Sequence, residues 1–189
     1  MIAKLLETGD ESLQYSISAT TREPRENEVD GRDYFFMNRI DFEEKIDAGE
    51  FLEWADIYGD YYGTPKEYVN QCIRRGKDVI LKIDVQGAGQ IRESGENGIF
   101  VFIAPPSMEE LKRRIASRGT ESDESLEKRF QRAADEIKEA KHYDYIVVND
   151  DLERALDMIR AIRLAEKSKI SRTLNHIKRL MNENEIRGC

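Results

Sequence analysis

Apolar residues along this chain fall into short runs separated by charged, periodic stretches. Ile2-Ala3-Lys4-Leu5-Leu6 has the spacing of an amphipathic helix, read as the end of one whose beginning is not present, and Gly9-Asp10 breaks it. Gln14 to Ser18 and Asp33 to Met37 alternate as short strands on either side of a charged loop, Thr20 to Gly31. Asp41 with Glu44 predicts a capped helix running through Ala48 and closed by Gly49. Thr64, Pro65 and Glu67 predict another: a hydroxyl cap, a proline in the first turn and an acid at the third position, with Gly76 as its stop.

The later runs are more apolar. Val79 to Ile83, Ile99 to Ile103 and Tyr145 to Val148 predict strands, and the middle one is apolar on both faces, as a parallel strand covered by helices would be. Between them, Ser107 and Glu110 cap a helix to about Ser117, and a long charged helix runs from about Asp123 to Lys141. From Leu152 onward the pattern is helical and ends in a basic, polar tail. Strands alternating with helices predict an α/β fold with a largely parallel sheet, carrying an insert of short strands and turns from about Thr20 to Tyr62.

The 189 residues suit one domain, with no internal repeat or low-complexity tract. No apolar run approaches the roughly 20 residues that span a bilayer. A net charge of −8 predicts neither a general nucleic-acid binder nor a protein drawn to acidic membranes, because both partners attract basic surfaces. Cys72 and Cys189 are too few for a disulfide framework, and no Cys/His spacing reads as a zinc site; the expectation is a reduced, cytoplasmic protein.

Candidate chemistry begins with arginines. Arg22 and Arg25 stand three apart on the loop after a strand, and guanidinium forks grip phosphate oxygens in a two-point manner that lysine lacks. Tyr34 and Tyr62 could add hydroxyl donors to the same anion. Alone, two loop arginines read equally as solvated surface charge. Glu53 beside Trp54 reads by itself as an acid at the end of an element. His142 and His176 pair with no nucleophile or metal ligand and read as structural or surface residues.

These residues occur within an ordered set of blocks: Ser18 to Arg25, Glu28/Gly31/Asp33 to Phe36, Gly49 to Trp54, Tyr61 to Thr64, Ile83 to Gly87, Pro105 to Ser107, Arg118 to Thr120, and Val148 to Leu152. From Ser16 to about Ile162 the set closely resembles the guanylate kinases, in order and at compatible spacings. The resemblance implies a P-loop nucleoside-monophosphate-kinase-like fold: a single domain over 1–189, with a GMP-binding insert at about 20–64, a lid and adjoining helices at about 107–141, and a helical tail at about 165–189. It implies phosphoryl transfer from MgATP to GMP, with Mg2+ entering alongside ATP. Arg22, Arg25, Tyr34 and Tyr62 match positions that grip the GMP phosphate, and Ser18, Glu53 and Thr64 match positions facing guanine. Arg118 and Arg129 match lid arginines that neutralise charge on the transferring group, so that Arg25, Arg118 and Arg129 form the implied catalytic set. Asn149 and Asp150 match positions near the adenine of ATP. Asp84 matches an acid near the magnesium ion; by itself it reads as a cap at the end of a strand.

Two features depart from the family pattern. Family members open with a buried strand and a Gly-x-x-Gly-x-Gly-Lys-Ser/Thr loop whose backbone N–H groups cradle ATP phosphates, and no such run occurs in these residues. Without it ATP loses most of its phosphate ligands, and a parallel sheet loses a central strand. The expectation is an inactive chain, through truncation or a misplaced gene start, or a divergent relative that retains a GMP-binding or protein-interaction role. The second departure is Lys82, two residues before Asp84, where the family carries an acid. It would weaken guanine recognition or, from the same face of a strand, pair with Asp84.

Overall fold

Strand alternation organises the first half of the chain, and its consequences are visible in a computed structural model. The structure describes residues 1–174 apart from 8, 58, 118–122, 171 and 173, with residues 123–125 described by backbone alone. The chain divides into two units, Met1–Phe100 and Val101–Cys189.

In the first unit the elements are α1 (Ile2–Leu6), β1 (Leu13–Tyr15), β2 (Ala19–Thr20), β3 (Phe35–Phe36), α2 (Arg39–Asp47), β4 (Phe51–Ile57), β5 (Asp60–Pro65), α3 (Lys66–Arg74), β6 (Asp78–Ile80) and α4 (Val85–Glu93). β1 and β6 pair in parallel, Leu13 opposite Asp78 and Tyr15 opposite Ile80. The other four strands form a sheet in the order β3-β2-β5-β4, antiparallel except between β2 and β3.

Each strand of that sheet sends successive side chains to opposite faces. One face is apolar: Ala19, Phe35, Met37, Phe51, Trp54 and Tyr61 pack around Phe42 and Ile46 of α2. Phe42 is fully buried and stacks on Phe51 with ring centroids 4.4 Å apart. Phe51 and Trp54, three residues apart, reach the same face because the β4–β5 register shifts between them. The shift leaves Glu53 on the opposite face, in step with Tyr62 and Thr64. Gly63 sits under the aromatic pair, where a Cβ would stand 3.0 Å from the Phe51 ring, 3.1 Å from the Phe42 ring and 3.1 Å from the Glu53 carbonyl oxygen.

Several expected boundaries shift for physical reasons. α2 is capped by Asn38, not Asp41: the Asn38 side chain accepts from Asp41 N at 2.9 Å and donates to the Asp41 carboxylate at 2.9 Å. α3 begins after Pro65 with no side-chain cap, because the Thr64 hydroxyl is used elsewhere. β6 stops at Ile80, short of the expected Ile83, since its parallel partner spans only three residues. Lys82 and Asp84 therefore do not share a strand, and Lys82 is exposed. α4 is an element the sequence pattern did not predict.

The second unit contains β7 (Val101–Ala104), α5 (Met108–Ala116), α6 (Asp123–Lys138), a tight helical turn over Glu139–His142, β8 (Tyr145–Val148) and α7 (Leu152–Lys167). β7 and β8 pair in parallel from Val101 opposite Tyr145 to Ala104 opposite Val148. Ser107 caps α5 as expected, accepting from Glu110 N at 3.1 Å. Helices connecting parallel strands make this an α/β fold. No described helix is long and apolar enough to cross a membrane.

Candidate functional site

The second face of the four-stranded sheet is polar, and it gathers most of the residues singled out from the sequence. Tyr34 and Phe36 lie on it with ring centroids 5.7 Å apart, and Tyr62 meets Tyr34 edge to face at 6.1 Å. The Arg22 guanidinium stands 5.5 Å from the Tyr34 ring centre and 6.0 Å from that of Phe36. Its Nη2 donates to both oxygens of Glu28 at 2.8 Å, and Nη1 donates to the Glu23 carbonyl at 2.7 Å. The Glu28 bond, helped by the Tyr62 hydroxyl, raises the Arg22 pKa against a smaller opposing effect of burial. Glu28 also accepts the Arg25 backbone N–H at 2.8 Å. That bond first, then Arg22, holds its carboxyl below the usual range. The Arg25 side chain is exposed, and its guanidinium makes no hydrogen bond with any described residue. This end of the face is a cationic and hydroxyl-bearing patch suited to an oxyanion.

Two residues further along β5, roughly 7 Å away at the rise of a strand, the face carries a buried acid. Glu53 is 8% exposed and Thr64 1%. The Thr64 hydroxyl donates to Glu53 Oε1 at 2.5 Å. Burial raises the Glu53 pKa and the nearby Asp84 charge adds to it, while hydrogen bonds from the Thr64 side chain and backbone oppose the rise. Asp84 caps α4, accepting from Gly87 N at 2.9 Å. Gly87 in turn touches Glu53: a Cβ there would lie 2.7 Å from Oε2. Ser18 is half-buried beside β2, and its carbonyl accepts from Phe35 N at 2.9 Å. A buried carboxylate with two acceptor oxygens suits a ligand presenting adjacent N–H donors.

The remaining expected residues belong to the second unit. Asn149 follows β8, donates its N–H to the Ala104 carbonyl at 2.8 Å and accepts Arg114 Nη2 at 2.9 Å. Arg114 is itself held by Glu110 at 2.6 Å, and paired bonds from Arg113 and Arg114 lower the Glu110 pKa to about 2. Arg114 thus anchors the loop after β8. Asp150 is exposed and pairs with Arg154. Arg129 is half-buried on α6. Arg118, Gly119, Thr120 and His176 lie outside the described residues, as does most of the expected tail.

Among the described residues no group of three His, Cys, Asp or Glu side chains is arranged to hold a metal ion. Asp84 commits one carboxylate oxygen to the α4 cap. A cleft of about 520 Å3 lies elsewhere, lined by Phe35, Met37, Phe51 and Tyr68 with Lys45 and Lys66, and includes none of the expected residues. Sequence reasoning passed over Gln90, whose side chain bonds both backbone groups of Trp54. No motif marks a side chain that captures backbone, so only the fold reveals it.

Comparison with known proteins finds one family along most of the chain. The family described as Guanylate kinase matches residues 1–166. A guanylate kinase of Caldanaerobacter subterraneus subsp. tengcongensis is 50% identical over 171 residues, covering 90% of this chain and 83% of that protein. The Bacillus subtilis guanylate kinase is 51% identical over 172 residues, covering 91% and 84%. The crystal structure of guanylate kinase from Anaplasma phagocytophilum superposes with a TM-score of 0.73 at 37% identity, covering 90% of this chain and 82% of that one.

Proposed function

The chain belongs to the guanylate kinase family, and on that premise we propose that it binds GMP on the polar face of its four-stranded sheet and transfers to it the γ-phosphoryl group of MgATP. A GMP phosphate oxygen attacks the γ-phosphorus, the bond to the β–γ bridging oxygen breaks, and ADP leaves as GDP forms. The observation that carries the reading is the pairing, on one face, of an arginine–tyrosine patch with a buried carboxylate. The patch of Arg22, Tyr34 and Tyr62 suits the GMP phosphate, with exposed Arg25 able to close on it. Glu53, held by Thr64, suits the N1–H and 2-amino edge of guanine, which adenine does not present, and we assign Ser18 and Thr64 to the same base.

Transfer of this kind needs little covalent help from the protein; positioning and charge neutralisation supply most of the rate. We assign Arg25, Arg118 and Arg129 to that neutralisation, and Asn149 and Asp150 to ATP. We assign Asp84 to the magnesium ion that would accompany ATP, which would supply charge screening on the ATP phosphates. Within this reading residues 1–189 form one catalytic domain, with the insert at 20–64, the lid and adjoining helices at 107–141 and a helical tail at 165–189. The low cysteine count and the free, buried Cys72 favour a reducing cytoplasmic setting.

A second reading, GMP binding or protein interaction without transfer, needs only the polar face of the four-stranded sheet, whose residues all lie in the unit Met1–Phe100. Calorimetry with GMP and a coupled assay of ADP release separate the readings. GMP binding with GMP-dependent ADP release supports transfer. GMP binding with neither ATP binding nor ADP release supports the second reading, and no GMP binding overturns both.

A further inference from the structure

The position of Glu53 is set from outside its own sheet. β4 is the terminal strand in the order β3-β2-β5-β4, so one of its edges has no strand partner among the described residues. At Trp54, the residue after Glu53, that edge is occupied by Gln90 of α4. Gln90 Oε1 accepts from Trp54 N at 3.0 Å and Nε2 donates to Trp54 O at 2.8 Å. One side-chain amide thereby supplies the donor and acceptor that a neighbouring strand would offer. Gly87 lies one turn earlier on the same face of the helix. Its lack of a side chain lets Glu53 lie against the helix backbone: a Cβ there would meet Glu53 Oε2 at 2.7 Å, Cδ at 3.1 Å and Cγ at 3.2 Å. Oε2 therefore rests on α4 while Oε1 is fixed by Thr64.

We infer that Gln90 and Gly87 are positioning residues for guanine recognition: the Gln90 clamp fixes the β4 backbone beside Glu53, and the bare Gly87 backbone fixes the depth at which its carboxylate stands. The inference rests on the reading that Glu53 accepts from the guanine edge. A carboxylate that must meet two adjacent N–H groups at once tolerates little displacement, because the second bond fails before the first. Loss of the clamp should thus cost GMP more than IMP, which keeps N1–H and lacks the 2-amino group.

The test is calorimetry of GMP and IMP binding to wild type, Glu53→Gln, Gln90→Leu, Gln90→Glu and Gly87→Ala, with thermal unfolding of each. The expected result is a GMP-over-IMP preference that falls about tenfold in Gln90→Leu and Gly87→Ala, the size of one lost bond to a charged group. Gln90→Glu, which keeps the acceptor for Trp54 N, should fall less than Gln90→Leu. An unchanged preference in the folded Gln90 variants, or an equal loss for both ligands, overturns the inference; these variants carry the test if Gly87→Ala fails to fold. If wild type shows no preference, or Glu53→Gln leaves it intact, the underlying reading of Glu53 fails instead.

Discussion

The Thr64 hydroxyl donates a 2.5 Å hydrogen bond to the Glu53 carboxylate, and the two side chains are 1% and 8% exposed. The bond takes Thr64 away from the helix it precedes, so α3 starts without a side-chain cap. Removing the donor leaves a buried carboxylate oxygen short of a partner, at a cost of about 1–3 kcal/mol. Thr64→Val, which keeps the shape, should lower stability by that amount in urea unfolding and weaken GMP binding in calorimetry. Thr64→Ser keeps the hydroxyl and should retain most of both. Equal behaviour of the two variants would show that the bond contributes nothing.

Glu53 makes a pH-dependent contribution of opposite sign to that of an ordinary paired acid. Burial raises its folded pKa above the ordinary 4.5. Between 4.5 and the raised value the folded chain binds more protons than the unfolded one, so stability from this group falls as pH rises. Glu53→Gln should therefore be the more stable protein at neutral pH, with the gap closing as pH falls below the ordinary value. The same variant offers a donor where the guanine edge needs an acceptor, and GMP affinity should drop about 10- to 100-fold. Unfolding across a pH series, paired with GMP titrations at neutral pH, reads both effects. A Gln variant that is less stable at neutral pH would contradict the burial account.

Much of the candidate site is legible in the sequence through the resemblance, which singles out Ser18, Arg22, Tyr34, Glu53, Tyr62 and Thr64 without any knowledge of the strands that carry them, and the arginine pair stands out on its loop. What the sequence obscures is competition for one group by two partners. Thr64 before Pro65 reads as a helix cap, and only the approach of β4 shows that a carboxylate takes its hydroxyl. α4 escapes because Gly87 and Gly89 depress helix propensity, while the contact that makes Gly87 useful comes from a strand more than thirty residues earlier. β6 is shorter than its apolar run because β1 offers only three residues to pair with.

The two loop arginines should separate by experiment. Arg22 holds Glu28 by two bonds and packs over Tyr34, whereas the exposed Arg25 guanidinium makes no hydrogen bond with any described residue. Arg25→Ala should leave stability within about 0.5 kcal/mol of wild type and lower GMP affinity about tenfold or more, as loss of a charged phosphate contact does. Arg22→Ala should lower both, because Glu28 loses its partner and the loop its anchor. Thermal unfolding with GMP titration checks the pair. Loss of stability in Arg25→Ala would place that side chain in the fold and not in the binding patch.

Gly63 joins the apolar core to the polar face. A Cβ at this position would press on the Phe51 ring at 3.0 Å, the Phe42 ring at 3.1 Å and the Glu53 carbonyl oxygen at 3.1 Å. The rings are stacked and cannot both yield, since Phe42, carried by α2, is fully buried against the sheet. The carbonyl yields only if the β4 backbone moves, which carries Glu53 with it. Gly63→Ala should thus cost about 1–3 kcal/mol through overpacking and also weaken GMP binding. Phe42→Ala supplies the contrast: it leaves a cavity on the far side of the sheet and should cost about 3–5 kcal/mol with little change in GMP affinity of the folded protein. Urea unfolding ranks the two on stability and calorimetry on GMP affinity, and the two orders should be opposite. If Gly63→Ala binds GMP as tightly as wild type, the added methyl is absorbed by the rings and the β4 backbone stays in place.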